Sequence, residues 1–116
     1  MQNTASNATI QKLETGLRSQ VLGIVRVLSD KGLTVGFAES CTGGLLSSSM
    51  TELSGVSKVF MGSVVSYDNK VKQKFLNVSE ETLKNYGAVS SQTAKQMAEG
   101  AVKALEVSVA VSVTGI

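Results

Sequence analysis

The order of apolar and amphipathic segments constrains the fold of this 116-residue chain more than any other feature. Short apolar runs rich in Val and Phe, which predict strands, alternate with stretches whose apolar residues recur every three or four positions, which predict helices. Along the chain the predicted order is α-β-α-β-α-α-β. Strands that alternate with helices favour a largely parallel sheet covered on both faces. The sequence therefore predicts an α/β fold.

Turn and cap signals bound the predicted segments. A polar N-terminal tail, Met1–Ala8, is expected to be disordered, and a single domain is expected over residues 9–116. An amphipathic helix runs from Ile10 to a stop at Lys31-Gly32, and Ser79 and Ser90 are predicted helix caps. The strands are predicted over Leu33–Ala38, Val59–Tyr67 and Val107–Val113. In the last strand the valines share one face, and Ser108, Ala110 and Ser112 line the other, where a helix can pack closely.

Composition excludes several classes of protein. The net charge is only +2, aromatic residues make up 4% of the chain and no basic run is interleaved with them, so we expect no direct contact with nucleic acid. We predict neither a signal peptide nor a membrane span. With one cysteine, Cys41, an internal disulfide is excluded, which fits the reducing cytoplasm. With no histidine and no acids at ligand spacing, we predict no metal site.

The segment 39–44 (Glu-Ser-Cys-Thr-Gly-Gly) links a predicted buried strand to a predicted helix at 45–53. Small hydroxyl residues and glycines at such a turn can present a nucleophile or leave N–H groups free for an anion. Ser40 is then a nucleophile, a phosphate contact or a helix cap, and Cys41 a nucleophile or a small buried thiol. Glu39 is a carboxylate base or a residue that orients the loop. Because the chain lacks histidine, the base that serves Ser40 cannot be imidazole.

A second group of candidates follows the next strand. On a helix Lys70 and Lys74 share a solvated face, and Lys72 is the lysine that can point inward. A lysine base must be neutral, so burial would have to lower its pKa. Tyr67 could relay the proton. If the strands are parallel neighbours, three strand ends (40–44, 67–69 and 114–115) converge at one edge of the sheet, where α/β proteins bind their ligands.

Together these pieces resemble the CinA C-terminal domain family, the nicotinamide-mononucleotide amidohydrolases. The matching strings are Ala-Glu-Ser-Cys-Thr-Gly-Gly at 38–44, 62–67 with Asn69 and Lys72, Tyr-Gly-Ala-Val-Ser at 86–90, Met-Ala-Glu-Gly at 97–100 and Val-Thr-Gly-Ile at 113–116. The resemblance implies a three-layer α/β/α sandwich whose central sheet is mostly parallel and is mixed in the full domain. It implies hydrolysis of the carboxamide of nicotinamide mononucleotide to nicotinate mononucleotide and ammonia, without a cofactor.

The resemblance also assigns roles. Ser40 would be the nucleophile, Lys72 and Tyr67 would supply the base, and Thr114 would orient the substrate or the serine. The remaining positions would contact substrate or phosphate: Cys41, Thr42, Gly43, Gly44 and Gly115. Whether the amides of the two loop glycines hold the oxyanion or the phosphate stays open.

The chain departs from the family pattern in two ways. The family continues past Thr114-Gly115-Ile116 with a Gly/Pro-rich loop, further strands and a functional arginine, so we expect the C-terminal part of the domain to be missing. Ser63 stands where a glycine is frequent. One alternative is a non-catalytic nucleotide-binding or regulatory module that acts through partners in DNA uptake or repair. Another is a truncated domain that folds only as an oligomer; the oligomeric state stays open, a homo-oligomer included.

Overall fold

The computed structural model describes residues 4–116, leaving aside the side chains of residues 4–6, 10, 13 and 14. A single short 3₁₀ turn, Val56–Lys58, accompanies the helices and strands of this part of the chain. In chain order these are α1 (Thr4–Asp30), β1 (Val35–Glu39), α2 (Leu45–Thr51), β2 (Phe60–Val65), α3 (Asn69–Leu76), α4 (Glu80–Tyr86), α5 (Ser91–Leu105) and β3 (Val109–Val113). The predicted alternation of helices and strands is observed, except that three helices, α3, α4 and α5, lie between β2 and β3 where the predicted order has two.

The three strands form one parallel sheet in the order β2-β1-β3. The last residue of β1, Glu39, lies opposite Val65 of β2 and Val113 of β3, so all three strands end at the same edge. Because β1 is central and buried along its whole length, the residues that follow it emerge in the middle of that edge. This is the place where open α/β sheets present their ligand-binding loops.

Helices cover the sheet on both sides, as the alternation of elements predicts. On one side, apolar residues of α1 and α2 pack on β1 around Phe37, whose ring lies 5.3 Å from that of Phe60. On the other side, residues of α3 and α5 pack around Ala38. Within residues 4–116, no helix combines the length and the apolar character that a membrane crossing requires.

Local signals set the beginnings of three helices. The side chains of Asp68, Ser79 and Ser90 accept hydrogen bonds from the first-turn amides of α3, α4 and α5, so both predicted serine caps are confirmed. The first helix differs from the expectation: α1 begins at Thr4 instead of Ile10. Neither glycine nor proline interrupts residues 4–15, so nothing stops the helix there. The rest of the tail predicted over residues 1–8 lies outside the described residues.

The last strand meets α5 through its small side chains. The Ser112 hydroxyl donates to the carbonyl of Ala94 at 2.6 Å, and Ala110 packs against the same apolar cluster. The close helix packing predicted for this face is therefore confirmed. The opposite face, with Val109 and Val111, is exposed in the described residues because α1 and α2 pack over β1 and not over β3.

Candidate functional site

The site lies where the three strands end, and the predicted convergence of their loops is observed. Ser40 follows β1, and Lys72 comes from α3, the helix after β2. The Lys72 ammonium nitrogen lies 3.1 Å from the Ser40 hydroxyl oxygen. On the β3 side, a Cβ placed on Gly115 would lie 3.3 Å from the sulfur of Cys41. The strand ends thus bring together residues that are far apart in the sequence.

Lys72 occupies a buried position and forms no salt bridge with any carboxylate among the described side chains. Its side chain is 1% exposed, whereas Lys70 and Lys74 on the same helix are exposed, as their spacing predicts. The amine donates to the carbonyls of Ser66 and Tyr67, each at 2.8 Å. Burial lowers the pKa of Lys72 below its usual 10.5, and the negative charges of Asp68 and Cys41 oppose part of that shift. The neutral amine is therefore more accessible at Lys72 than in a solvent-exposed lysine.

The hydrogen-bond partners of Lys72 determine what its neutral form can do. A neutral amine has two hydrogens and one lone pair, and a carbonyl oxygen can only accept. The two hydrogens must then point to the carbonyls of Ser66 and Tyr67, which leaves the lone pair facing the Ser40 hydroxyl. In the protonated form the third hydrogen points to the Ser40 oxygen instead. The contact can therefore carry a proton in either direction without moving the nitrogen of Lys72 or the oxygen of Ser40.

Glu39, the residue before Ser40, is fully buried. Its carboxylate accepts from the Thr42 hydroxyl at 2.7 Å and from the Leu46 and Ser47 amides at 2.9 Å, and it also accepts from the Ser47 hydroxyl. Burial acts to raise the pKa of Glu39, but the hydrogen bonds from Ser47, Thr42 and Leu46 outweigh it and lower the pKa below 4.5. The carboxylate therefore stays ionised and caps the start of α2.

The turn between Ser40 and Gly44 uses some of its amides internally. The Gly43 amide donates to the Ser40 carbonyl, and the amide that follows Gly44 donates to the Thr42 carbonyl. In the described part of the chain, the amides of Cys41, Thr42 and Gly44 have no acceptor. Positive φ angles at Gly43 and Gly44 explain the glycines, since other residues rarely adopt them. The Gly43 amide is therefore unavailable to bind either the oxyanion or the phosphate, the two groups that the sequence analysis considered for it.

In the described part of the chain, the side chains of Tyr67 and Thr114 form no hydrogen bond with Ser40 or Lys72. Tyr67 is 76% exposed, and within the described residues its hydroxyl forms no hydrogen bond; its carbonyl is what meets Lys72. The Thr114 hydroxyl donates to the Ala88 carbonyl at 2.8 Å, which ties the end of β3 to the loop before α5. Cys41 is exposed beside the turn. A relay through the Tyr67 hydroxyl is unnecessary, because Lys72 reaches Ser40 directly.

Sequence reasoning missed Ser66, which is fully buried beneath the site. Its amide and its hydroxyl both donate to the Glu39 carbonyl, at 2.7 and 3.2 Å, and its own carbonyl accepts from Lys72. The available signal was a serine near the carboxyl end of a predicted apolar strand, which is the end of the strand that faces the site. Ser47 and Ser63, whose hydroxyls are hydrogen-bonded to each other, were missed as well.

No group of acidic or cysteine side chains within residues 4–116 is arranged to hold a metal ion. The chemistry that the described residues support is instead that of a nucleophile and a base. A buried hydroxyl touches a buried amine that is free of counter-ions, and unused amides lie beside it. This arrangement can transfer an acyl group from a carbonyl compound to Ser40 and stabilise the negative charge that develops on the carbonyl oxygen.

Comparison with known proteins gives a consistent result. The sequence of residues 18–116 matches the family model of the CinA C-terminal domain. A CinA-like protein of Dictyoglomus turgidum is 57% identical over 93 residues, which cover 80% of this chain and 23% of that protein. A CinA-like protein of Leptospira interrogans is 56% identical over 91 residues, 78% of this chain and 22% of that protein.

Solved structures share the fold. The competence/damage inducible protein CihA of Agrobacterium tumefaciens has a TM-score of 0.82 and 44% identity, over 85% of this chain and 60% of that one. A competence-damaged protein (CinA) superfamily protein of Escherichia coli has a TM-score of 0.79 and 33% identity, over 80% of this chain and 54% of that one. The chain thus spans less than a quarter of those curated relatives and no more than three-fifths of these solved chains.

Proposed function

The chain belongs to the CinA C-terminal domain family, and on that premise we propose that it hydrolyses the carboxamide of nicotinamide mononucleotide to nicotinate mononucleotide and ammonia. The observation that carries the proposal is the contact of 3.1 Å between the Lys72 amine and the Ser40 hydroxyl. Amide hydrolysis needs a nucleophile and a base that later protonates the leaving nitrogen. One buried amine beside one hydroxyl supplies both functions.

The reaction begins when Ser40 attacks the carboxamide carbon and its proton passes to Lys72. The C–O bond forms, and negative charge develops on the carbonyl oxygen, for which the amides of Cys41, Thr42 and Gly44 are the available donors. Lys72 then gives its proton to the nitrogen, the C–N bond breaks and ammonia leaves. Water, deprotonated by Lys72, attacks the acyl-serine carbon; the C–O bond to Ser40 breaks, Lys72 returns the proton to the Ser40 oxygen, and the carboxylic acid product leaves as the carboxylate after losing its own proton to solvent.

The other residues of the site have supporting places in this proposal. Tyr67, whose side chain is exposed, assists Lys72 as part of the base, and Thr114, held by its bond to Ala88, orients the substrate or Ser40. Gly115 keeps space open beside the Cys41 sulfur. The nucleotide is the only substrate in the proposal, and no cofactor takes part. The proposal also places the protein in the cytoplasm, where it would meet that nucleotide.

The test compares ammonia release from nicotinamide mononucleotide by the wild-type protein and three variants. We expect Ser40→Ala to lower the rate more than about 1,000-fold and Lys72→Met, which keeps the buried volume, to lower it about 100- to 10,000-fold. Lys74→Met, on the exposed side of the same helix, is the matched control and should stay within two-fold of wild type. A Ser40→Ala protein that still releases ammonia would exclude the serine mechanism.

A second candidate function rests on the names of relatives. The Agrobacterium tumefaciens structure is described as a competence/damage inducible protein, which is a physiological role and not a reaction. A non-catalytic nucleotide-binding or regulatory module linked to DNA uptake or repair would fit such a role. Calorimetric binding of nicotinamide mononucleotide by wild-type protein that releases no ammonia would favour this function, and turnover that depends on Ser40 would exclude it.

A further inference from the structure

The Glu39 carboxylate has no remaining capacity to act as a base. An ionised carboxylate offers about four acceptor sites, and four donors occupy them: two amides and two hydroxyls, from Thr42, Leu46 and Ser47. No lysine or arginine forms a salt bridge with Glu39 in the described residues. Removing any of these donors to bind substrate would leave a buried charge undersatisfied, which is costly. The structure therefore favours a role in orientation over proton transfer.

Both oxygens of the Glu39 carboxylate hold the turn, through hydrogen bonds to residues within it and after it. Oε1 accepts from Thr42 inside the turn and from Leu46 after it, and Oε2 accepts from Ser47. The turn contains two glycines at positive φ, which have much conformational freedom to lose on ordering. Without an anchor, Ser40 and the neighbouring unused amides would sample several positions. Glu39 supplies the anchor because it precedes Ser40 directly at the end of a buried strand.

The backbone of Glu39 reaches the base as well. Its carbonyl accepts both the amide and the hydroxyl of Ser66, and the Ser66 carbonyl accepts from the Lys72 amine. One residue is thus bonded to the turn through its side chain and to the lysine through a single intermediate. A displacement of Glu39 would change the geometry of nucleophile, base and turn amides together.

We propose that Glu39 is a positioning residue: its ionised carboxylate holds the 40–44 turn so that Ser40 and the free turn amides stay aligned with the Lys72 amine. In its effect on amide hydrolysis the inference rests on the proposed function. In its effect on the reactivity of Ser40 it does not, because that reactivity can be measured without any amide substrate.

The experiment uses a fluorophosphonate probe, with labelling followed by mass spectrometry. The Ser40 oxygen attacks phosphorus, the P–O bond forms, fluoride leaves and the hydroxyl proton passes to Lys72. In Glu39→Gln an NH₂ group replaces one acceptor and opposes at least one backbone amide of α2. We expect Ser40 labelling and kcat for ammonia release to fall about 100-fold, the cost of a small misplacement, with KM within about three-fold. Glu39→Asp, which keeps the charge, should recover part of the loss.

Controls separate positioning from stability. Glu52→Gln makes the same change at an exposed carboxylate near the end of α2 and should leave labelling unchanged. Circular dichroism and a thermal melt identify the folded protein at the assay temperature. If Glu39→Gln does not fold, Thr42→Val and Ser47→Ala each remove one hydroxyl donor, and each should slow labelling about three- to ten-fold.

The outcomes are distinct. Folded Glu39→Gln protein labelled as fast as wild type overturns the inference and leaves the proposed function intact. So does a change confined to KM. Wild-type protein that is labelled at Ser40 but releases no ammonia excludes the proposed substrate, and the labelling rates still decide the role of Glu39. Wild-type protein that neither reacts with the probe nor releases ammonia overturns both proposals.

Discussion

At the scale of single residues, the chemistry of this site depends on how Lys72 is solvated. A lysine with the ordinary pKa of about 10.4 is neutral in only about 0.4% of molecules at pH 8. Burial removes the water that stabilises the ammonium form, and the two carbonyls that meet Lys72 replace that water only in part. A larger share of the protein therefore carries a neutral amine at a given pH. The charges of Asp68 and Cys41 act in the opposite direction and raise the pKa of Lys72 in part.

This balance predicts a pH dependence with a definite direction. The rate should rise with pH as Lys72 loses its proton, and its midpoint should lie below 10.5 because burial lowers the pKa. In Asp68→Asn the side chain can still accept from the Lys70 amide at the start of α3, but it no longer stabilises the ammonium form. The pKa of Lys72 should then fall further, and the midpoint should move to lower pH. The pH profile of Ser40 labelling or of kcat/KM measures both.

A midpoint at the ordinary lysine value would contradict the role of burial. A midpoint that moves upward in Asp68→Asn would show that Asp68 acts on the site by some other route than its charge. Glu80→Gln, at the exposed start of α4, is the matched control, and its profile should coincide with that of wild type.

The sequence identified the side chains of this site better than their contacts. Helical spacing alone indicated that Lys72 would point inward, and burial confirms it. The contact of Lys72 with the Tyr67 carbonyl could not be predicted, since every residue has a carbonyl and its direction depends on the turn after β2. Ser66 was missed for the same reason, because its amide and carbonyl provide two of its three contacts. The catalytic roles of Ser40, Lys72, Tyr67 and Thr114 stay predictions.

At the scale of elements, the position of α3 determines where Lys72 lies, and a single glycine sets that position. A Cβ placed on Gly100 of α5 would lie 1.9 Å from the carbonyl oxygen of Leu76, the last residue of α3. No side chain fits at this distance, so the two helices are in contact through their backbones. The lysine can therefore reach Ser40 only while α5 keeps a glycine here.

Gly100→Ala should destabilise the protein by about 1–3 kcal/mol or more, because a backbone carbonyl, unlike a side chain, cannot turn away from the new methyl group. The free energy of unfolding in urea measures this. Ser40 labelling should slow as well, since α3 must shift. Gly23→Ala in α1, where nothing lies within 4 Å of the new Cβ, is the matched control. It should stabilise the protein by roughly 0.5–1 kcal/mol, and equal effects at both sites would contradict the packing argument.

Element ends show where local sequence stops being informative. The caps at Ser79 and Ser90 were predicted because a capping hydroxyl acts within three residues of its own position. The first and the last strand of the chain, β1 and β3, begin two residues later than predicted, at Val35 and Val109. Before those residues, Thr34 and Ser108 bond to each other through backbone and hydroxyl groups instead of continuing the regular ladder. That exchange depends on a partner 74 positions away, which no local pattern contains.

At the scale of the whole molecule, only part of the long helix α1 packs against the rest of the protein in the described residues. α1 has 27 residues, yet its buried and half-buried apolar residues begin only at Val21. Every described side chain from residue 7 to residue 20 is exposed. The family match begins at residue 18, close to the point where packing begins. Periodicity predicted this helix, but it could not show which half contacts the sheet, since both halves carry apolar residues at the same spacing.

The different packing of the two halves predicts different costs for changing them. Deletion of residues 1–15 should change the free energy of unfolding by less than about 1 kcal/mol, because every described side chain among them is exposed and exposed positions contribute little to stability. Labelling of Ser40 should stay within two-fold of wild type. Val25→Ala, at a buried position of the second half, should cost about 1–3 kcal/mol through the lost burial and the cavity left behind. Urea denaturation monitored by circular dichroism compares the two proteins.

A deletion that costs as much as Val25→Ala would contradict this prediction, and one explanation to test is that the first half of α1 packs against a partner outside the single chain. Repeating the denaturation at several protein concentrations identifies that partner. If it is a second copy, the unfolding midpoint of wild-type protein rises with concentration and that of the deletion protein does not, because association stabilises only the form that can associate. If neither midpoint depends on concentration, the exposed part of Leu17, which is 60% exposed, has no partner in a second copy of the chain.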